Sequence, residues 1–422
     1  MSTALMTSTR RGKIINPRKR KFLIQFLLYL SPVILLTTIF PLVTPQISEV
    51  TLGGVALTQV ILAVSITVPW MSQSICLPVY KAMDDLLGER DLEACTKRFA
   101  EYWVSTCLAV VPALILFALP FYFALHWNLT VLMAFLLLGF LNVMFGQLLV
   151  VANLPTDSRK AWGFSWLAYA LALLIAPKIW FLPPLMGILV MLFVIRDYIG
   201  YLSLFKRLYY PVVAREMLRG FLIGTVLWAD KYIFFISQGG ELQVVTIYMG
   251  LIPAVVAYNY FFAAEAKQVD RAVAKLREAI QTRGYSQVQS YSKKVERRVL
   301  QATQRTLLMA GICSVFVAVF MFFYLPDSVI LAFSIIMSSW MFLAVAIYSY
   351  QVDYLGSHLI PQVLGLAHLI LCMLAFALIP NTNGYFIIMA GEVVLVTIAY
   401  IAFRKTWKLP AYDLFWRHAI TW

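Results

Sequence analysis

Apolar runs of roughly 20 residues alternate with short polar breaks along the whole chain, and about that length of helix is needed to cross the hydrocarbon core of a bilayer. The pattern predicts about twelve membrane-spanning helices. In the first half they run approximately Phe22 to Val43, Leu52 to Leu77, Tyr102 to Leu125, Leu129 to Val151, Ala161 to Pro177 and Pro184 to Leu204. In the second half they run Met217 to Ile236, Leu242 to Phe262, Gln301 to Tyr324, Ser328 to Tyr350, Leu359 to Leu378 and Gly384 to Phe403. Pro177, Pro183 and Pro184 interrupt the fifth and sixth, where proline removes a helical donor.

The two halves share a plan. Each opens with a basic segment, a span, a short outer loop with a single acid (Glu49, Glu241) and a second span running into a charged helix. The expected architecture is therefore all-α: a polytopic membrane protein with two pseudo-repeated six-helix bundles around a central cavity. The expected division is a basic amino terminus over 1–21, bundles over 22–205 and 216–403 joined by a linker over 206–215, and a tail over 404–422. Residues 265–299 form the one long polar insertion, from Glu265 to Val299.

Composition agrees with lipid as the solvent, since 62% of residues are hydrophobic and only 13% charged, with mean hydropathy +0.81. Charge then orients the chain, because short loops rich in Lys and Arg stay on the cytoplasmic side. Arg10, Arg11, Lys13, Arg18, Lys19, Arg20 and Lys21 precede the first span, and Arg404, Lys405, Lys408 and Arg417 follow the last. Lys81, Arg90, Lys97, Arg98, Arg159, Lys160, Lys206, Arg207, Arg215 and Arg219 fall on alternate loops, while Lys178 alone falls on the opposite side. Both termini are expected in the cytoplasm, with the chain in the inner, cytoplasmic membrane. The net charge of +14 then reflects topology and anionic membrane lipid, with no need of nucleic acid. The long basic leader and full-length first run read as a retained anchor rather than a cleaved signal.

Enzyme and metal patterns are absent. His126, His358, His368 and His418 have no H-E-x-x-H spacing, no phosphate loop is present, and Asp84 and Asp85 are adjacent rather than spaced for one metal. Cys76, Cys95, Cys107, Cys313 and Cys372 are odd in number and read as packing residues. The expectation is a non-enzyme with no cofactor or bound metal, and a membrane glycosyl- or acyltransferase is the rival class.

Ionisable groups inside spans are costly and so point to function. Asp230 and Lys231 adjoin in the seventh span; neighbours on a helix point about 100° apart, so the two are expected to face different partners, one toward a central path and Lys231 alternatively snorkelling outward. Gly220 and Gly224 form a G-x-x-x-G, which favours close helix packing. His368 and Glu392 lie equally far from the turn at Pro380 and Asn381, so the folded hairpin brings them to matched depth as a coupling pair or a fixed structural one. Arg196 and Asp197 read as a snorkelling base and its counter-ion in the sixth span. In the polar insertion Val269, Ala272, Val273, Leu276 and Ile280 repeat at helical spacing, predicting an amphipathic helix. The favoured location is the headgroup layer, and a docking surface for a cytoplasmic partner is the other reading.

Trp228, Ala229, Asp230, Lys231 and Tyr232, reached from Tyr209, Tyr210 and Pro211 and followed by Phe235, resemble the seventh-helix W-x-D-K motif of the PelG family of Pel exopolysaccharide transporters. Gly250 to Ala254 resemble that family's I-I-P-A segment, and Phe261 to Glu265 its V-E-T motif, with Ala266 and Lys267 in place of the Thr and the aromatic. Tyr350 to Tyr354 and Leu409 to Phe415 are fainter matches. The resemblance implies the multidrug/oligosaccharidyl-lipid/polysaccharide exporter superfamily and export of a hexosamine-rich polysaccharide beside a cytoplasmic glycosyltransferase and small membrane subunits. A lipid-linked oligosaccharide flippase is the alternative, and a proton-coupled drug antiporter a third. It also implies a substrate path at Trp228, Asp230, Lys231, Tyr232 and Phe235, and a cytoplasmic docking or gating site at Glu265, Lys267 and Arg271.

Overall fold

The computed structural model describes residues 17–83, 86, 91–153, 159–324 and 326–420. Arg10, Arg11, Lys13, Asp84, Asp85 and Arg90 lie outside the described residues, as do the side chains of Arg18, Lys19, Arg20, Lys21, Arg159, Arg417 and His418. The first bundle comprises α1 (Pro17–Ser48), α2 (Leu57–Ala82), α3 (Leu92–Ala124), α4 (Leu129–Asn153), α5 (Arg159–Ile175) and α6 (Leu182–Val194). The second begins with α7 (Tyr210–Ser237) and α8 (Val244–Tyr260), which passes through a π turn (Phe261–Glu265) into α9 (Ala266–Thr282). It continues with α10 (Tyr285–Tyr324), α11 (Val329–Tyr354), α12 (Leu359–Leu378), α13 (Gly384–Thr406) and the short α14 (Pro410–Ile420).

Among the described residues nine helices are long and apolar enough to cross a bilayer, with α5 and α6 as shorter apolar helices. With the 32-residue α1, these helices stand at the twelve places where the hydropathy pattern predicts spans. Their outward faces carry exposed Leu116 and Phe123 on α3, Phe316 and Phe323 on α10, and Leu366 and Leu374 on α12, side chains suited to lipid rather than water.

Helix pairing repeats between the halves. In the first, α1 packs on α5, α2 on α3 and α4, α3 on α4, α4 on α6 and α5 on α6. In the second, α7 packs on α12, α8 on α10 and α11, α10 on α11, α11 on α13 and α12 on α13. Each pair in one list maps onto a pair in the other when α1–α6 are laid over α7, α8, α10, α11, α12 and α13. The contacts between bundles obey the same rule, since α2 meets α7 and α1 meets α8. This is the packing expected of a parallel tandem repeat.

Two boundaries differ from expectation for local reasons. The second span starts at Leu57 because Gly53 and Gly54, both at positive φ, turn a small hairpin (β1 Thr51–Leu52, β2 Val55–Ala56) ahead of it. Asn128 ties that hairpin down by donating to the Gly53 carbonyl at 2.7 Å while its Oδ1 accepts from Val131 N at the start of α4. The sixth span stops at Val194, where the chain tightens into a 3₁₀ turn (Arg196–Tyr201). Arg196 and Asp197 therefore lie past the helix, both mostly exposed and 3.8 Å apart, not within a span. Lys178 pairs with Glu49 at 3.0 Å and so joins the α5–α6 turn to the end of α1.

The stretch before α7 is strapped to α3. Lys206 N donates to Ser105 Oγ at 2.7 Å and its ammonium to Glu101 at 2.8 Å, a hydrogen bond that holds the Lys206 pKa above its ordinary value.

The polar insertion does not lie in a headgroup layer by its apolar face. Val269, Val273 and Leu276 of α9 are buried in one cluster with Val295 and Val299 of α10 and Leu414 of α14, and Ala279 is buried as well. The reason is length: α10 runs for 40 residues, far enough beyond the bilayer to offer α9 an apolar partner of its own.

Candidate functional site

The centre of the molecule is α7, which belongs to one bundle by sequence and touches both. Toward the first bundle, Gly220 and Gly224 let its backbone lie directly on α2, since a Cβ at either would run into the backbone of Gln73, Ser74 or Trp70. Trp70 Nε1 donates to the Phe221 carbonyl at 3.2 Å and Ser74 Oγ to the Met217 carbonyl at 2.7 Å. Higher up, Tyr232 donates to the Phe117 carbonyl at 2.6 Å and packs edge-on against Trp70 and Phe117. Phe235 closes that aromatic group against Phe121 and Trp127.

The other face of α7 enters the second bundle. Gly365 of α12 admits the Leu222 carbonyl, and Thr225 Oγ1 donates to the Gly365 carbonyl at 2.9 Å. One turn further up, Asp230 and Lys231 are both buried, at 0% and 1% exposure, in an interior that tolerates charge only when it is paired.

They pair with each other, at 3.0 Å. This corrects the expectation that they face different partners, and it excludes Lys231 snorkelling to the surface. Although their Cβ directions diverge by about 100°, the long Lys231 side chain folds back so that its ammonium donates to the Leu227 carbonyl at 3.1 Å and still reaches the Asp230 carboxylate. Tyr385 of α13 donates to the second Asp230 oxygen at 3.2 Å. The Phe342 ring of α11 lies 4.9 Å from the ammonium, presenting its negative face to the cation.

The same Phe342 ring packs edge-on against His368, centroids 4.8 Å apart. His368 Nδ1 and Glu392 Oε1 share a hydrogen bond of 2.6 Å, both residues fully buried, and Cys372 Sγ stands 3.4 Å from His368 Nε2. Asp230–Lys231 and His368–Glu392, read from the sequence as separate features, are thus two halves of one polar core drawn from α7, α11, α12 and α13. Sequence reading missed Tyr385, Phe342 and Cys372. Two of them carried a signal, because Cys372 follows His368 by four residues and Tyr385 precedes Glu392 by seven, the spacings that share a helix face.

Formal charge in this core does not balance by itself. Asp230, Glu392 and Lys231 sum to minus one with His368 neutral; one proton on the His368–Glu392 pair brings the sum to zero. Among the described residues Glu392 Oε2 has no hydrogen-bond partner, so this carboxylate is held by the single bond to His368.

A second group lies at the other end of the helices. Glu265, in the π turn, is 2% exposed and accepts from Tyr260 at 3.0 Å and Arg298 at 2.8 Å, with Arg305 3.6 Å away. Burial under two arginines makes it an internal ion-pair hub, while Lys267 is half-buried and Arg271 exposed. The π turn touches α1, so it stands where the two bundles meet. Nearby, Arg219 of α7 is paired with Glu216 and with Asp353 of α11, and Asp353 also takes His358 at 2.8 Å. Of the seventh-helix set, Trp228 is half-buried and the other four are buried in the seam or the polar core.

No protein-family model matches the chain, and no curated protein matches it. Solved structures do. A crystal structure of MATE in complex with MaD5 aligns over 93% of this chain and 96% of its own, with 10% identity and a TM-score of 0.53. A crystal structure of MATE in complex with Br-NRF aligns over the same shares with 12% identity and a TM-score of 0.50. An inward-facing multidrug resistance MATE family transporter of the MOP superfamily aligns over 92% and 94%, with 10% identity and a TM-score of 0.47. The first two establish that this chain has the MATE fold over 93% of its length.

Proposed function

We propose that this chain is an exporter of the bacterial inner membrane that carries a hexosamine-rich, Pel-like polysaccharide outward between its two bundles. The observation that carries the reading is the position of α7: the helix bearing the W-x-D-K motif is the seam between bundles, with Asp230 and Thr225 bonded to the second bundle and Tyr232 to the first. A carrier that opens alternately to either side must part α2 from α7 and α1 from α8. The MATE fold supports export, the PelG resemblance supports the polymer, and Trp228, Tyr232 and Phe235 supply aromatic faces on which sugar rings stack once the seam opens. A cytoplasmic glycosyltransferase and small membrane subunits would deliver the growing chain.

Removing the gene from its host should abolish cell-surface hexosamine polymer while the polymerising activity of a membrane extract stays intact. Accumulation of a lipid-linked glycan instead would transfer the reading to a flippase, and unchanged surface glycan with gain of drug sensitivity would transfer it to an antiporter. Orientation is tested separately. With both termini in the cytoplasm, Glu241→Cys should react with an impermeant maleimide in intact cells and Tyr285→Cys only after lysis; equal labelling of both from outside would reverse the topology.

A further inference from the structure

A cavity of about 650 Å³ opens where α13 leaves the membrane, between its last turn, the exposed length of α10 and the start of α14. Its charged lining is Lys293, Glu296, Arg404, Lys405 and Lys408, four cations against one carboxylate. Glu296 lies 3.8 Å from Arg404 and compensates one charge, which leaves an excess of about three positive charges facing the cavity. The transport reading uses none of these residues.

Leu409 also lines it, and α14 begins at the next residue. Leu414 of α14 is buried against the protein, while Leu409, Tyr412, Phe415 and Trp416 are 63%, 61%, 50% and 46% exposed on the opposite side. Tyr412, Phe415 and Trp416 follow i, i+3, i+4 spacing and so form one face, and the helix starts four residues after α13 ends at Thr406. That face therefore stands at the level of the membrane surface, the depth where Trp and Tyr rings are stable.

We propose that this pocket is a binding site for the phosphate headgroup of an anionic glycerophospholipid, with the aromatic face of α14 lying along the upper acyl chain. Net positive charge selects an anionic headgroup over a zwitterionic one, and three exposed aromatics beside the end of a spanning helix select a lipid over a soluble acidic protein.

The test is native mass spectrometry of the full-length protein in detergent, incubated with equal amounts of dioleoyl phosphatidylglycerol and dioleoyl phosphatidylcholine. The wild type should retain phosphatidylglycerol preferentially, and Lys405→Gln with Lys408→Gln should weaken that retention on the order of thirty-fold, the effect of two interfacial basic charges. Lys405→Arg with Lys408→Arg should retain it, as should Lys275→Gln with Arg283→Gln, which removes one exposed charge from α9 and one from the residue that follows it. Equal retention of both lipids by the wild type would overturn the proposal, as would undiminished retention by the double Gln variant. Displacement of the lipid by millimolar inorganic phosphate would assign the pocket to a free anion, and displacement by hexaglutamate to an acidic protein; either result overturns it.

Discussion

Asp230→Asn alone and Lys231→Met alone should each damage the protein more than the two changes together. In either single variant one charge stays buried in a site with almost no access to water, and stranding a buried ion-pair partner costs about 3–5 kcal/mol. Replacing both removes the charges together, and such replacements are often neutral. Thermal unfolding of the four proteins in detergent gives the double-mutant cycle directly, with the double variant expected close to wild type and both singles well below it. Additive losses would mean that the pair is not the contact on which the helix depends. Export separates from stability here. If α7 must slide during the cycle, the double variant should be inserted at normal levels yet export poorly, because the pair that fixes α7 to the second bundle has gone; full export by the double variant would make the W-x-D-K motif a packing device.

Much of this was legible in the chain and some was not, for identifiable reasons. Spans were legible because lipid forces each crossing to be a long apolar helix. Where the reading slipped, local backbone chemistry overrode hydropathy: Gly53 and Gly54 turn a hairpin out of residues apolar enough to continue a span, and the helix stops at Val194 although the following residues include Tyr198, Ile199 and Tyr201. The α9 helix was predicted from its periodicity, but periodicity states only that an apolar face exists. What covers it depends on how far α10 projects, which a per-segment reading does not supply. The polar core was half legible for a similar reason. Matched depth in a hairpin brings His368 to Glu392, a relation between adjacent helices, whereas the approach of α7 to α12 and α13 depends on Gly365 admitting the Leu222 backbone, a contact across more than a hundred residues. Side-chain reach was the other gap, since the 100° rule describes Cβ directions and not where four methylenes can carry an ammonium.

Glu392→Gln should keep the protein folded and make its transport indifferent to a proton gradient. The glutamine amide can still bond His368 across the present 2.6 Å contact, so the hairpin between α12 and α13 loses little, whereas His368→Leu strands a buried carboxylate and should cost about 3–5 kcal/mol. The reason to expect coupling is the charge sum of the core, which one proton on this pair brings to zero, together with the direct contact of a carboxylate and an imidazole deep in the membrane. When the seam at α7 opens, water reaches the core from one side, and the proton can leave there; when it closes and opens to the other side, the proton is replaced. One proton per cycle is driven by about 1.4 kcal/mol for each pH unit across the membrane, which is up to about a tenfold change in the export equilibrium. Export into or out of sealed vesicles, measured with imposed gradients of either sign and with a protonophore, should show that response in the wild type and its loss in Glu392→Gln. A variant that exports normally and still follows the gradient would leave His368 and Glu392 as a fixed clasp between two helices, and the coupling proton would have to be sought at the ion pairs of Glu265 or Asp353 instead.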